Sequence, residues 1–236
     1  MLSRERRRLN LDFFSTLKGV VSLLKDPNQT DSVYDIEDGL RHTDATKLAL
    51  DYVKFNPDVE RIIQERYIAP TPDLEALLKC PHGSLGYEYA SHMKEAGFDP
   101  EFYRKIKVED DISYLLFRIR QTHDIWHIVT GFSTDVAGEL GLQAFYVAQT
   151  RRTMSVVLTA GGLLSTLIKS PEHLNRVLDH ISQGYRMGMN AKPFLAQKWE
   201  ENWDKPLSEW RAELGIGENL PSFQAQPGNA VNRGAS

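Results

Sequence analysis

His123, Asp124 and His127 place two imidazoles and a carboxylate within five consecutive residues, and Glu139 adds a second carboxylate twelve positions after His127. These are the nitrogen and oxygen donors that bind divalent metal ions. The chain has only 7 histidines, so their concentration here needs an explanation. Histidines four apart on a helix share a face, with Cβ atoms about 5–6 Å from each other. At that separation two imidazoles can share one ion at bond lengths of about 2.0–2.1 Å. Asp124 stands three residues before His127 and borders the same face. Glu139 follows a glycine-marked turn and can reach back from the next helix. The resulting set has two nitrogens, two oxygens and no sulfur, which suits zinc, iron(II), manganese or magnesium.

A lone core histidine is usually a hydrogen-bonded structural residue, and a His–Asp neighbour pair can be structural too. Two core-facing histidines with two nearby carboxylates are harder to absorb. Each polar group left unpaired in a dry interior costs about 1–3 kcal/mol. A bound divalent cation, zinc first among the choices, removes that cost.

The elements around the motif must present it inward. Asp110 can cap a helix running to about Thr130, with an apolar stripe at Ile112, Leu116 and Ile119 that continues through His123 and His127. At 100° per residue those five positions fall within about 80°, so the histidines replace apolar residues on a core-facing stripe. Gly131 ends this helix, and Ser133 or Thr134 can cap the next, which carries Val136, Glu139, Leu140, Gln143 and Val147. Thr153 to Ile168 then has no charged residue. It is too short for a membrane span and is expected to form a fully buried central helix.

The flanking chain is also helical. Ala45 to Phe55 behind an Asp44 cap, Asp58 to Arg66, Asp73 to Lys79 and a helix closed by Gly97 precede the motif; a helix from Ser170–Pro171 and a short one ending near Leu214 follow it. Thr71 before Pro72 reads as a helix cap with proline at the first helical position. The stretch Pro81 to Gly86 reads as a tight turn at a helix start. Near the N-terminus, Leu9 to Leu24 has helical apolar spacing behind a basic lead-in. That pattern fits a helix packed on the core with a solvated tip, or one lying on an anionic membrane surface. No segment alternates with period two. The expected fold is therefore all-α: a single multi-helix domain over residues 1–220, with a disordered polar tail at 221–236.

Composition narrows the function classes. A formal charge of −4 and a pI near 6.0 argue against nucleic acid as a partner. One cysteine, Cys80, rules out an intramolecular disulfide and any cysteine-based zinc site. Asp12 and Lys18 interrupt what would be the apolar core of a signal peptide. For the motif itself three classes compete. A zincin-type peptidase requires His-Glu-x-x-His, whereas Asp124 is one methylene shorter and suits a ligand better than a base. A His-Asp phosphohydrolase would need further donors, for which His82, His92 and Asp135 are available without independent support. The third class is a metal enzyme or lipid-binding module with a buried apolar pocket.

At His123-Asp124-x-x-His127 followed after eleven residues by Glu139, the chain resembles the coenzyme Q (ubiquinone) biosynthesis protein 4 family. The resemblance extends to Pro81-x-Gly83-Ser84-Leu85-Gly86, Arg118-x-Arg120, the tryptophan-rich end with Pro206-Leu207, and Arg211 before Leu214-Gly215-Ile216. It covers roughly residues 30 to 216. It implies metal-dependent processing of a polyprenylated ring precursor, in which the ring C1 carboxylate is removed oxidatively and replaced by hydroxyl. His123, Asp124, His127 and Glu139 would be the metal-binding and catalytic residues. It equally implies a non-catalytic lipid-binding scaffold for a quinone-biosynthesis complex. The implied partners are an isoprenoid lipid, other quinone-biosynthesis proteins, a membrane surface and a second copy of the chain. The implied location is cytoplasmic, peripheral to the inner membrane, as in a bacterial-type member. Thr153 to Ile168 and the Gly83–Gly86 turn are expected to line a slot for the isoprenoid tail.

Overall fold

The computed structural model describes residues 37–101, 103 and 105–217. The helix expected from Leu9 to Leu24 and the polar tail from 221 lie outside them. The helices run in order α1 (Asp44–Lys54), α2 (Pro57–Glu65), α3 (Leu74–Leu77), α4 (Leu85–Ala96), α5 (Asp111–Thr130), α6 (Val136–Thr150), α7 (Thr153–Lys169), α8 (Leu174–Asn190) and α9 (Leu207–Leu214). Single 3₁₀ turns at Pro171–His173, Phe194–Ala196 and Trp199–Glu201 join the later ones. Among the described residues there is no strand, and the expectation of one all-α domain holds.

Most boundaries follow local chemistry, with small differences from expectation. Asp110 starts α5 through a reciprocal box: its carboxylate accepts from the Ser113 amide, and the Ser113 hydroxyl accepts from the Asp110 amide. Gly131 ends α5 in the left-handed conformation at φ 79°, which costs a glycine little. The cap of α6 is Asp135, not Ser133 or Thr134, because its carboxylate accepts from the Gly138 amide. Likewise Thr43 rather than Asp44 caps α1, and Asp73 rather than Thr71 caps α3.

The buried centre is formed by α5 and α6. Every residue of α5 from Ile125 to Thr130 is buried, as is every residue of α6 from Leu140 to Tyr146. Backbone contact squeezes α6 against α8: a Cβ built on Gly184 would lie 1.9 Å from the carbonyl oxygen of Gly141. On the other side an aromatic chain passes from Trp126 through Phe194 to Trp199 and Trp210, with ring centroids 4.7–5.3 Å apart. From α9, Arg211 donates to the carbonyls of Val129 (3.0 Å) and Ile128 (2.8 Å), satisfying acceptors at the C-terminal end of α5.

The uncharged helix α7 departs from expectation. It is not the buried centre. Its buried residues are Met154, Ser155, Gly161, Ser165 and Thr166, while Val156, Leu164, Leu167 and Ile168 stand 46–68% exposed. The small residues cause this. A Cβ on Gly162 would lie 2.4 Å from Leu140 Cδ2, so the glycine side of α7 lies against α6 and the larger apolar side chains face out. No described helix is long and apolar enough to cross a membrane. The Gly83–Gly86 turn is fixed by backbone hydrogen bonds. Gly86 donates to the Trp203 carbonyl at 2.7 Å, Leu85 to that of Lys205 at 3.0 Å, and Leu207 to that of Gly83 at 2.8 Å. It clips the start of α4 to the segment leading into α9.

Candidate metal centre

His123 and His127 stand four positions apart on α5, and the Gly131 turn brings α6 back alongside with Glu139 in its first turn. The same turn exposes the Phe132 carbonyl, which lies 2.9 Å from His127 Nδ1. Only an N–H can satisfy that carbonyl, so His127 carries a proton on Nδ1 and aims Nε2 at Glu139. His123 is oriented by Tyr146 of α6, whose hydroxyl stands 3.4 Å from Nδ1. The Tyr146 ring is itself held by stacking on Trp126 at a centroid distance of 4.3 Å.

The three inward atoms converge. His123 Nε2 and His127 Nε2 are 3.2 Å apart, and Glu139 Oε1 lies 3.1 Å from His127 Nε2. Glu139 Oε2 is 3.9 Å from His123 Nε2. Donor atoms at about 2.0–2.1 Å from one ion are roughly 3.0–3.4 Å from each other for octahedral to tetrahedral angles. Two of the three separations match the edges of such a shell. His127 is fully buried, whereas the side chains of His123 and Glu139 are 32% and 37% exposed. The site is anchored on a dry side and open on a wet one.

Charge balance points the same way. Burial by itself would push the Glu139 carboxyl up, but His127 and His123 outweigh it and hold the group well below the usual carboxylate range. Burial would lower His123, yet its hydrogen bond to Glu139 and the charges of Glu139 and Asp124 raise it. Glu139 Oε1 faces His127 Nε2 at 3.1 Å, so the carboxylate is balanced either by protons on the imidazoles or by a cation bound in their place. The residues present fit a divalent cation.

Asp124 is not in the converging set. Among the described residues, the donors lying within 4.8 Å of one another are His123, His127 and Glu139. Asp124 remains close in an electrostatic sense, since its charge acts on His123, His92, Tyr89 and Tyr146. His92 is buried on α4 within reach of the charges of Asp124 and His127, and burial lowers its pKa. The other histidine and carboxylate available to a phosphohydrolase are engaged elsewhere. His82 stacks on Tyr87 at 3.9 Å, and Asp135 caps α6 and pairs with Arg176 at 2.5 Å. The sequence reading does not single out Tyr146 or the Phe132 carbonyl. Tyr146 is seven positions from Glu139 and so on its stripe, a signal that was available; a backbone carbonyl leaves none.

Comparison with known proteins follows the same line. A family profile described as coenzyme Q (ubiquinone) biosynthesis protein Coq4 matches residues 12–219. The mitochondrial ubiquinone biosynthesis protein COQ4 homolog of Danio rerio is 29% identical over 217 residues, covering 90% of this chain and 79% of the relative. The mitochondrial ubiquinone biosynthesis protein coq4 of Aspergillus fumigatus is 31% identical over 166 residues, covering 68% of this chain and 57% of the relative. A solved structure from Nostoc punctiforme, described as a candidate ubiquinone biosynthesis protein, superposes with a TM-score of 0.78 at 40% identity, covering 86% of this chain and 97% of that one.

Proposed function

The chain belongs to the coenzyme Q (ubiquinone) biosynthesis protein Coq4 family, and from that premise we propose that it processes a polyprenylated ring carboxylate of that pathway at a divalent metal ion held by His123, His127 and Glu139. The observation that carries this reading is the convergence of those three donors within 4.8 Å on the open side of a buried helix pair. Two imidazoles and one carboxylate leave coordination positions free for a substrate, as in metal sites that do chemistry, whereas four protein ligands close a structural site. Zinc and iron(II) both suit the set, with manganese and magnesium as further occupants. When bound, the ion supplies Lewis acidity toward a carboxylate and a place to activate an oxygen species.

The net change is a two-electron oxidation. Ring–COOH and water give ring–OH and carbon dioxide, releasing two protons and two electrons to an acceptor such as dioxygen. The protein's own groups would do the rest. The Phe132 carbonyl and Tyr146 keep the imidazoles aimed, as second-shell partners of metal-bound histidines do. Asp124, beside the cluster, supplies a further carboxylate within electrostatic reach of His123. The isoprenoid tail would lie along the outward apolar side of α7, where Val156, Leu164, Leu167 and Ile168 offer a greasy surface. That surface also suits peripheral contact with the membrane in which such a substrate dissolves, and contact with other quinone-biosynthesis proteins.

The test is metal analysis and quinone profiling of His127→Ala. Loss of bound metal together with loss of quinone, at unchanged helical content, is the expected result. Normal quinone levels in a metal-free variant would end the catalytic reading. The same exposed apolar side of α7 favours a second reading, a lipid-binding scaffold with a structural metal. It predicts that purified, metal-loaded protein never converts a carboxylated ring substrate.

A further inference from the structure

Away from the histidines, α5 borders a cavity of about 220 Å³ that the metal reading does not use. Phe117 and Gln121 line it from α5, four residues apart and so on one face. At 100° per residue that face is turned roughly 120° from the one carrying His123 and His127. Tyr89 of α4 lines the cavity as well. The rest of the wall is mostly apolar, with Ile68, Pro72 and Ile106, and Tyr103 packed edge-on against Phe117 at a centroid distance of 6.5 Å. An apolar cavity of about 150 Å³ binds benzene, so this one has room for a single ring with a small substituent. It is too small for the larger molecules that fill pockets of about 300 Å³ and above.

Several polar groups around the cavity are already engaged. Gln121 donates from Nε2 to the Ala69 carbonyl at 3.0 Å and accepts at Oε1 from Arg118 at 2.7 Å. Thr71 donates to Glu101 at 2.6 Å, and Lys105 pairs with the same carboxylate at 3.5 Å. Tyr89 is different. It is 3% exposed, and its ring packs on Trp203 at 5.2 Å. Among the described residues its hydroxyl has no hydrogen-bond partner, yet it is not sealed in the packed interior, so it faces the cavity. Burial pushes the hydroxyl well above its ordinary pKa, and the charge of Asp124 adds to the shift. It stays an O–H that can both donate and accept. An anion set against it would meet the charge of Asp124, and the lysine among the described lining residues, Lys105, is already paired. The cavity therefore selects an uncharged ligand.

We propose that this cavity is a second small-molecule site, which takes a single uncharged aromatic ring bearing a hydroxyl or carbonyl group. The ring lies among Tyr103, Ile106 and Phe117, where aromatic and aliphatic side chains give it apolar contact, and its polar group hydrogen-bonds the Tyr89 hydroxyl. None of the lining residues belongs to the converging donors, so the site stands or falls apart from the metal reading.

The experiment titrates the full chain with phenol, toluene and benzoate by calorimetry, in parent, Tyr89→Phe, Ile106→Trp and His127→Ala. Phenylalanine keeps the ring and removes the hydroxyl; tryptophan fills the cavity from a half-buried position. The parent should bind phenol saturably at one site, and benzoate more weakly by about 10-fold. Tyr89→Phe should weaken phenol by about 3–10-fold, the size of one hydrogen bond, and leave toluene unchanged. Ile106→Trp should lose phenol and toluene together at unchanged helical content. His127→Ala should bind phenol as the parent does, which separates this site from the metal centre. In crystals of the parent soaked in 4-bromophenol, the anomalous signal of bromine should fall between Tyr89 and Phe117. A cavity that holds only water, seen as no saturable phenol binding, would overturn the proposal. So would binding that survives Ile106→Trp, or bromine found only elsewhere. Equal phenol affinity in Tyr89→Phe and parent would overturn the role of the hydroxyl, and benzoate bound as tightly as phenol the selection against charge.

Discussion

Helix α5 carries two polar clusters, and they are built on opposite principles. Near its middle, Arg118 is 1% exposed and grips Glu200 with both guanidinium nitrogens at 2.6 and 2.9 Å, with the Gln197 carbonyl at 2.8 Å and Gln121 at 2.7 Å. Two residues on, Arg120 meets the buried Glu37, which Arg152 also contacts. Arginine keeps its charge at any pH a folded protein survives, so these carboxylates are matched by permanent cations and need nothing from outside. Further along the same helix His123 and His127, whose charge depends on a proton, face Glu139 of α6. A carboxylate paired with arginine is a lock. A carboxylate paired with two imidazoles is balanced by exchangeable protons, and that exchangeability is what the proposed metal site would use.

The first way to test that contrast is to break the lock. Arg118→Met should cost about 3–5 kcal/mol in chemical denaturation, because it strands Glu200 in the interior. Replacing both partners, Arg118→Met with Glu200→Leu, should recover most of the loss, since a buried ion pair and a well-packed apolar pair are often near-equal in stability. A double variant as unstable as the single one would show that packing, not charge, holds that end of α5.

Metal addition probes the other cluster. At a free ion concentration of 100 times Kd, the parent should gain about 2.7 kcal/mol, read as a rise in melting temperature. His127→Ala should lose about 1–3 kcal/mol without metal, through the orphaned Phe132 carbonyl, and gain nothing from the ion. An Arg118 variant that still responds to metal, beside a His127 variant that does not, would confirm that the clusters work independently.

The smallest effect is expected where a carboxylate meets cations at the surface. Hydrogen bonds from Lys54 and Arg66 hold the Asp111 carboxyl below its ordinary value. A depressed carboxyl stabilises the fold above its unfolded pKa and loses that contribution as pH falls through the folded one, here below about pH 4. With about a third of these side chains exposed, Asp111→Asn should cost only on the order of 0.5 kcal/mol at neutral pH, and the difference from parent should vanish in acid.

Much of this was legible before any coordinates. The capped start of α5 and its glycine stop were written in Asp110 and Gly131, and the four-residue spacing of His123 and His127 committed both to the core side. Periodicity speaks for a residue's side of its own helix and is silent about the helix beside it. That is why α7 was misjudged. Its lack of charge was correctly read as an apolar surface, but whether that surface meets protein or faces outward depended on Gly162 against Leu140. Asp124 shows the same limit: its adjacency in sequence to His123 suggested a shared ion, while among the described residues the donors within 4.8 Å of one another are His123, His127 and Glu139.

The sequence by itself determined the helices, the cap and glycine stop of α5, the family and the donor types of the site, because these follow from local backbone chemistry and from spacing along one helix. Only the tertiary structure decided which donors meet, that Phe132 and Tyr146 aim the imidazoles, and that α5 and α6 rather than α7 form the buried centre. Those outcomes turn on how closely two backbones approach across the Gly141–Gly184 contact, and on which side chains are then left facing each other.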